Sequence, residues 1–136
     1  MFLDETKTVY APIAVGELFD KITILEIKAS RITDKTKLLN VTRELSILKS
    51  VADASLELDA EVEGIVDKLR LVNSQLWDVE DKIRECERNN DFGTVFIKLA
   101  RSVYCHNDQR ALLKKQLNKL TGSELVEEKS YAAWSS

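Results

Sequence analysis

Two polar stripes carry the residue types best suited to binding a ligand. Their spacing predicts that they lie on neighbouring helices. The first stripe repeats at intervals of four and three residues, which places its members on one helix face: Asn73, Trp77, Glu80 and Arg84. If a hairpin turns about residues 89–91, positions that face each other sum to about 181. The second stripe then consists of Arg101, Tyr104 and Asp108, with Ile97 beyond Arg101. The pairs expected across the hairpin are Glu80 with Arg101, Trp77 with Tyr104, and Asn73 with Asp108 or Asn107.

The two stripes combine a carboxylate, guanidinium groups, an amide and two amphipathic aromatic rings. Ligand pockets between the helices of a bundle have this composition, with apolar walls and a few convergent polar groups. The sequence therefore predicts a candidate ligand site here. A structural interpretation fits the same residues, because Glu80 and Arg101 also suit a surface salt bridge and the aromatic side chains suit the edge of a core.

Two polar residues interrupt the hydrophobic seam of the last helix. Apolar positions at alternating spacings of four and three run over residues 92–120, and His106 and Arg110 occupy two of these positions. A buried guanidinium needs a partner, so Arg110 extends to water at the bundle edge, pairs with an acid of the first helix, or faces an anion. The acids available there are Glu17, Asp20 and Glu26. Arg110 joins the candidate ligand-binding residues, whereas the lone His106 is interpreted as a hydrogen-bonded core residue.

Three pairs of acidic residues have a one-turn spacing that suits magnesium on a helix: Glu17 with Asp20, Asp78 with Asp81, and Glu124 with Glu127. Helical nucleotide pyrophosphohydrolases bring four such carboxylates together from consecutive helices to hold the metal. Here the pairs come in the wrong order and other helices separate them, so we predict neither a metal site nor a cofactor. The sequence contains no P-loop and no nucleophile-elbow motif, and no catalytic residue is predicted.

The overall composition argues against several function classes. The 20 basic and 23 acidic residues are well mixed and give a formal charge of −3, which disfavours a nucleic-acid-binding surface. The longest unbroken apolar run is too short to span a membrane, and residues 1–10 lack the apolar block of a secretory signal. We therefore expect a cytoplasmic protein that has neither nucleic acid nor membrane as a partner.

The two cysteines are expected to be free thiols. In the hairpin register above, Cys86 and Cys105 lie roughly 15 Å apart along the helix axis, which is too far for a disulfide. The spacing of the cysteine and histidine residues does not suggest a zinc site. Free, buried thiols are typical of a reducing compartment.

The elements that must position these residues are predicted to be helices, packed as an antiparallel bundle in a single domain over residues 1–136. The first half comprises an extended arm over 1–13, a helix from about 15–17 to 32, and a second helix after a cap at Thr33 or Asp34. In the second half, a turn over 53–56, with Ser55 as a cap, precedes the third helix, which runs to Arg88. A turn over 89–91, with Asp91 as a cap, precedes the fourth helix, which runs to Leu120. A stop over 121–123 and a tail over 124–136 follow. No glycine or proline marks the turn over 53–56, so one continuous, kinked helix there, in a bundle of three helices, is the alternative.

Two features lead us to hypothesise a homodimer. The apolar surface of the first helix is wider than one stripe, because Phe19, Ile24 and Ile27 extend it. Such a surface contacts two neighbours, or one neighbour and a second subunit. The polar tail carries Tyr131 and Trp134, which are expected to dock onto the bundle or onto another subunit.

Two stretches of the chain carry polar residues that helix patterning alone does not dictate. The first covers residues 15–28, with Asn40 and residues 44–45 beyond it, and the second comprises residues 76–77, 80–81, 100–104, 107–108, 110–111 and 127–131. Together they resemble an uncharacterised family of small helical proteins from marine bacteria and cyanophages. The resemblance covers nearly the whole chain, implies a microbial or phage cytoplasm, and assigns no catalytic residue.

The first helix also resembles that of the all-helical chorismate mutases, which mixes acids, aliphatic residues and a terminal arginine. The residues that follow this mixture are Glu17, Asp20, Leu25 and Arg31. Such enzymes hold a dicarboxylate with several cations, and the resemblance implies that Arg31, Arg84 and Arg101 would be recruited. The spacing of these cations in the present sequence departs from the pattern of those enzymes.

These features favour a small cytoplasmic, non-enzymatic protein that binds a partner protein or a small anionic ligand through the two stripes and Arg110. The alternative is a small all-α enzyme, either magnesium-dependent on nucleotides or similar to a chorismate mutase acting on a dianion. Converging carboxylates would favour the nucleotide enzyme, and converging arginines would favour the enzyme acting on a dianion.

Overall fold

The computed structural model describes residues 6–135, and every element of regular secondary structure in that part of the chain is an α-helix. The four helices are α1 (Val15–Arg31), α2 (Lys35–Ser55), α3 (Ala60–Arg88) and α4 (Thr94–Thr121). The predicted all-α bundle is confirmed. It has four helices rather than three, because the backbone leaves the helical conformation over residues 56–59 between α2 and α3.

The first helix, α1, is the central element of the bundle. It contacts α2, α3 and α4, and α3 and α4 also pack along each other as a long hairpin. Leu18, Phe19 and Ile22 of α1 join the main hydrophobic cluster, which includes Leu69 of α3 and Leu117 of α4. Three helical neighbours within one chain therefore account for the wide apolar surface of α1, without a second subunit.

Capping residues explain most of the helix boundaries. The carboxylate of Asp34 accepts a hydrogen bond from the backbone N–H of Lys37 at the start of α2, as predicted. Helix α4 ends at Thr121 and is followed by Gly122 with φ = 67°, a left-handed conformation that favours glycine at this position. These two ends were predictable because their capping chemistry is local in the sequence.

Two other predicted caps were wrong. Ser55 is the last residue of α2, and α3 is instead capped by Asp59, which accepts a hydrogen bond from the N–H of Val62 at 2.9 Å. Asp59 makes the better helix start because Glu61 and Glu63 follow it in the first turn, where acidic side chains favour the helix dipole. Asp91 does not cap α4; its carboxylate accepts from the N–H of Gly93 within the preceding turn.

The start of α1 is capped by side chains that reach across from the end of α4. Ala14, at the cap position, has no side-chain acceptor to offer. The backbone N–H of Val15 donates to Ser123 Oγ at 3.1 Å, and that of Gly16 donates to Asn118 Oδ1 at 2.7 Å. These two bonds satisfy N–H groups that an α-helix leaves unpaired at its start, and they fix the beginning of α1 against α4.

Gly16 allows this close approach of α1 to α4. A β-carbon at residue 16 would lie 2.9 Å from the Cα atom of Lys114 and would overlap the Lys114 carbonyl group. A larger residue would therefore push the two helices apart. The contact brings the next turn of α1 over the middle of α4, where several charged side chains lie.

The ends of the described chain lie outside the helices. Residues 6–13 are exposed and not helical, in agreement with the predicted extended arm; residues 1–5 lie outside the described residues. Among the described residues, none of the helices combines the length and the apolar character needed to cross a membrane.

We expect Gly16→Ala to destabilise the bundle by about 2 kcal/mol, because the added methyl group overpacks a contact with rigid backbone. Gly64→Ala is the matched control: Gly64 lies in α3, and a β-carbon there would meet no atom within 4 Å. That change should stabilise the protein by about 0.5–1 kcal/mol, since alanine replaces glycine inside a helix. Urea unfolding of both variants would measure the difference, and equal stability would contradict the close approach at Gly16.

Candidate functional site

The most deeply buried charge in the described structure is the carboxylate of Asp20 in α1, which is 1% exposed. Arg110 of α4 binds it through two nitrogens: Nε donates to Oδ1 at 2.8 Å, and a terminal nitrogen donates to Oδ2. The Asn73 amide of α3 donates to Asp20 Oδ1 and to Thr23 Oγ, both at 3.0 Å. One carboxylate thus joins three helices through charge-assisted hydrogen bonds.

This environment keeps Asp20 ionised. Burial is the largest single influence and acts to raise the pKa of Asp20, but the hydrogen bonds from Arg110 and Asn73 and the charges of Arg110 and Lys114 together outweigh it. The net result is a pKa below the ordinary value for this carboxyl. The hydrogen bond to Asp20 in turn raises the pKa of Arg110. The pair is therefore a fixed ion pair at neutral pH.

Lys114, one turn after Arg110 on α4, is a second buried cation and is 9% exposed. Its Nζ lies 2.6 Å from a carboxylate oxygen of Glu17, 2.7 Å from one of Glu127, and 3.9 Å from one of Asp20. Glu17 belongs to α1, whereas Glu127 comes from the segment after α4. The hydrogen bond from Lys114 lowers the pKa of Glu127. The ammonium group thus holds a carboxylate that is not part of the bundle.

The C-terminal segment, residues 123–135, folds back along α4. Besides Glu127, its Glu128 pairs with Lys115 at 3.3 Å and its Lys129 pairs with Asp108 at 2.8 Å. The Trp134 ring lies with its centroid 6.0 Å from that of Tyr104. Within the described structure, Trp134 docks onto the bundle, which is one of the two outcomes predicted for the tail aromatics.

A pocket of about 500 Å³ lies between α4 and this segment. We call it the anion pocket; its lining residues are Asn107, Arg110, Ala111, Lys114, Glu127, Glu128, Lys129, Ser130 and Tyr131. The terminal nitrogen of Arg110 that does not bind Asp20 makes only a long hydrogen bond of 3.4 Å to Asn107. Guanidinium and ammonium groups suit carboxylates and phosphates, so the polar wall of this pocket can hold such a group.

The structure brings half of the sequence-predicted site residues into this region. Asn73 and Arg110 meet at Asp20, and Tyr104 and Asp108 contact the C-terminal segment. The pairing of Arg110 with an acid of the first helix, one of the three predicted alternatives, is confirmed, and the acid is Asp20.

The pairs predicted across the α3–α4 hairpin were wrong. Glu80 pairs with Arg84 on its own helix, and Arg101 donates to Tyr104 at 3.3 Å on its own helix. Trp77 packs beneath the guanidinium of Arg31, 5.7 Å from the ring centroid. Asn73 binds α1 rather than Asp108 or Asn107. The reason is that α1 and the C-terminal segment supply nearer partners than the opposite helix of the hairpin does.

Sequence reasoning missed Lys114, Asn118, Thr23 and Glu127 as parts of the site. A signal was present on α4, because Arg110, Lys114 and Asn118 are spaced by four residues and therefore form one polar stripe. This stripe faces the start of α1, where it binds Asp20, Glu17 and Gly16. The partner of that stripe could not be read from the helix pattern alone.

The remaining candidates for chemistry have ordinary roles in the described part of the chain. His106 Nδ1 donates to the backbone carbonyl of Ser102 at 2.8 Å, in agreement with the predicted hydrogen-bonded histidine. Cys86 and Cys105 are free, as predicted. No group of three or more histidine, cysteine, aspartate or glutamate residues that could hold a metal ion occurs among residues 6–135.

We expect Asp20→Asn to destabilise the protein by about 3 kcal/mol at pH 7, since it leaves Arg110 without its buried partner. The lowered pKa of Asp20 means that its stabilising effect is complete above about pH 4 and is lost as the pH falls through the folded-state pKa. The stability difference between wild type and variant should therefore be smaller at pH 3 than at pH 7. Chemical denaturation at both pH values would measure it.

The matched control is Asp53→Asn, which changes an exposed aspartate of α2. It should alter stability by less than about 0.5 kcal/mol. An Asp20→Asn variant that behaves like this control would show that the buried ion pair does not hold the bundle together.

Comparison with known proteins identifies the chain by family. No curated protein and no solved structure matches it. A family model described as "Family of unknown function (DUF6165)" matches residues 9–136, which agrees with the predicted resemblance to an uncharacterised family. The chain therefore belongs to the DUF6165 family, whose function is unknown.

Proposed function

We propose that this protein is a non-enzymatic binding protein for a small anionic ligand, which it holds in the anion pocket between α4 and the C-terminal segment. The observation that carries the proposal is the position of Glu127. Its carboxylate comes from outside the bundle and lies 2.7 Å from Lys114 Nζ on the wall of this pocket. A carboxylate supplied by a ligand would meet the same ammonium group.

The two cations of the pocket are positioned before any ligand arrives. Asp20 holds the Arg110 guanidinium through two of its nitrogens, and Glu17 of α1 holds Lys114. Binding therefore does not have to order these long side chains, and preorganisation of this kind favours affinity. The Arg110 side chain remains 30% exposed, so one edge of its guanidinium is open to a ligand.

Glu127 is a displaceable occupant of the site. Its side chain is 57% exposed. The neighbouring ion pair of Glu128 with Lys115 is exposed on both sides, and exposed pairs contribute little stability. A ligand with a stronger or doubly charged anionic group would replace the Glu127 carboxylate at small cost. Asp20 remains fixed by Arg110 and Asn73, so only the outer side of the site would change.

The contacts of the described residues do not favour the alternative of a small all-α enzyme. The acidic pairs that would hold magnesium are engaged with cations: Glu17 and Asp20 bind Lys114 and Arg110, and Asp78 binds Arg31. The arginines that would hold a dianion have separate partners: Arg31 binds Asp78, Arg84 binds Glu80, and Arg101 binds Tyr104. The contacts of these residues therefore favour the binding function.

A homodimer in a microbial or phage cytoplasm completes the proposal. The apolar surface that supports the dimer lies at the start of α4 and just before it, where Phe92, Val95 and Ile97 expose about half of their surface. Light scattering would measure the mass in solution. A single species of 15.5 kDa would contradict the dimer and would leave the ligand site unaffected.

Removal of the internal carboxylate should tighten ligand binding. We expect Glu127→Gln to raise the affinity for inorganic phosphate about fivefold, because it removes a competing contact worth about 1 kcal/mol. Glu124→Gln, an exposed change in the same segment outside the pocket lining, should leave affinity unchanged. Isothermal titration would measure both. An affinity for phosphate that Glu127→Gln lowers or leaves unchanged would contradict the displacement of Glu127.

Loss of the buried ammonium should weaken binding. We expect Lys114→Gln to lower phosphate affinity at least tenfold, since a charge-assisted hydrogen bond is lost. Lys119→Gln, five residues further along α4 and exposed, is the charge-matched control and should bind as wild type does. In a thermal-shift assay, phosphate at a hundred times its dissociation constant should stabilise the wild type by about 2.7 kcal/mol. The absence of any shift with phosphate, pyrophosphate and citrate would contradict the proposal.

A further inference from the structure

We infer that the ligand of the anion pocket carries a ring joined to its anionic group, as a sugar phosphate or a nucleotide does, and that Tyr104, Tyr131 and Trp134 hold this ring. The inference rests on the proposed function, because it extends the same site along α4. It adds a second subsite, which we call the aromatic cavity, next to the cations Arg110 and Lys114.

The aromatic cavity has a volume of about 390 Å³ and lies between α4 and the end of the C-terminal segment. Its lining residues are Ala100, Val103, Tyr104, Asn107, Asp108, Lys129, Tyr131, Ala132 and Trp134. Three of the five tyrosine and tryptophan residues of the chain meet here. An isolated exposed aromatic is ordinary on a protein surface, but three around one cavity are typical of a surface that stacks on a ring.

The aromatic side chains are open to a ligand. Tyr104, Trp134 and Tyr131 are 40%, 56% and 84% exposed. The Tyr104 and Trp134 rings are inclined by 51° with their centroids 6.0 Å apart, so they do not cover each other face to face. Their remaining faces are available for a planar base or for the C–H face of a sugar.

The two subsites are continuous. Asn107, Lys129 and Tyr131 line both the anion pocket and the aromatic cavity. Arg110 and Tyr104 are six residues apart on α4, which corresponds to about 9 Å along the helix axis. This distance suits a phosphate joined to one or two rings, and it is too long for a bare phosphate or a short dicarboxylate to bridge.

Polar groups at the junction suit the hydroxyl or amino groups of such a ring. The Asn107 amide and the Asp108 carboxylate both line the aromatic cavity. Lys129 Nζ lies 2.8 Å from Asp108 and 5.4 Å from the centroid of the Tyr131 ring, so this ammonium marks the boundary between the two subsites. Hydrogen bonds from these groups would orient the ring between the aromatic side chains.

The test uses Trp134 as a reporter of the aromatic cavity. In a Trp77→Phe background, Trp134 is the only tryptophan, and its fluorescence is followed during titration with inorganic phosphate, glucose 1-phosphate and AMP. We expect at least one of the two ring compounds to change the emission and to bind about tenfold more tightly than phosphate. Glucose 1-phosphate as the tighter ligand identifies a sugar site, and AMP as the tighter ligand identifies a base site.

Tyr104→Ala provides the matching variant. Because Tyr104 is 40% exposed and lines the aromatic cavity but not the anion pocket, its loss should not unfold the bundle; it should abolish the tenfold gain of the ring compounds and leave phosphate affinity unchanged. Tyr10→Ala, on the exposed arm, is the control. If phosphate binds and the ring compounds bind no more tightly, without change in Trp134 emission, the aromatic subsite is wrong while the anion pocket stands. If none of the three compounds binds, the anion pocket itself is wrong.

Discussion

The buried carboxylate of Asp20 is the constraint on which the arrangement of α1, α3 and α4 depends. A carboxylate that is 1% exposed is costly to bury unless charge and hydrogen bonds compensate it. Arg110 and Asn73 supply this compensation from two different helices. A shift of α4 by one turn would separate the Asp20 and Arg110 charges, and a shift of α3 would leave the Asn73 amide without its acceptors. This cluster therefore selects one register among the many that the apolar seams alone would allow.

The residues that fix the fold also prepare the candidate site. Gly16 lets α1 lie directly on α4, and Asn118 caps α1 at that contact. The same approach places Glu17 and Asp20 over Lys114 and Arg110, so the cations of the anion pocket are held from the protein side. The inner half of this cluster therefore satisfies the fold, and its outer half faces the anion pocket.

The sequence predicts the helices of this protein far better than it predicts which side chains contact each other. The apolar spacing over residues 92–120 and the caps at Asp34 and Gly122 are local signals, and the helices that they imply are present. Glu80 pairs with Arg84, four residues away on the same helix, and not with Arg101 as predicted. The pair within one helix is favoured because it does not require a side chain of a second helix to be ordered. Asn73 could not be assigned correctly, because its partner Asp20 lies 53 residues away on a helix whose position no local pattern specifies.

The central position of α1 has a consequence for the order of folding. Its contacts with α4 join residues 90 to 102 positions apart, including Asp20 with Arg110 and Gly16 with Asn118, whereas α3 and α4 are adjacent in sequence. Closing such long loops is entropically costly, so we expect the α3–α4 hairpin to form first and α1 to dock onto it last. During synthesis, α1 leaves the ribosome before α4 does, so the part of its surface that packs on α4 stays exposed until α4 has emerged. Pulsed hydrogen exchange showing early protection of α1 would contradict this order.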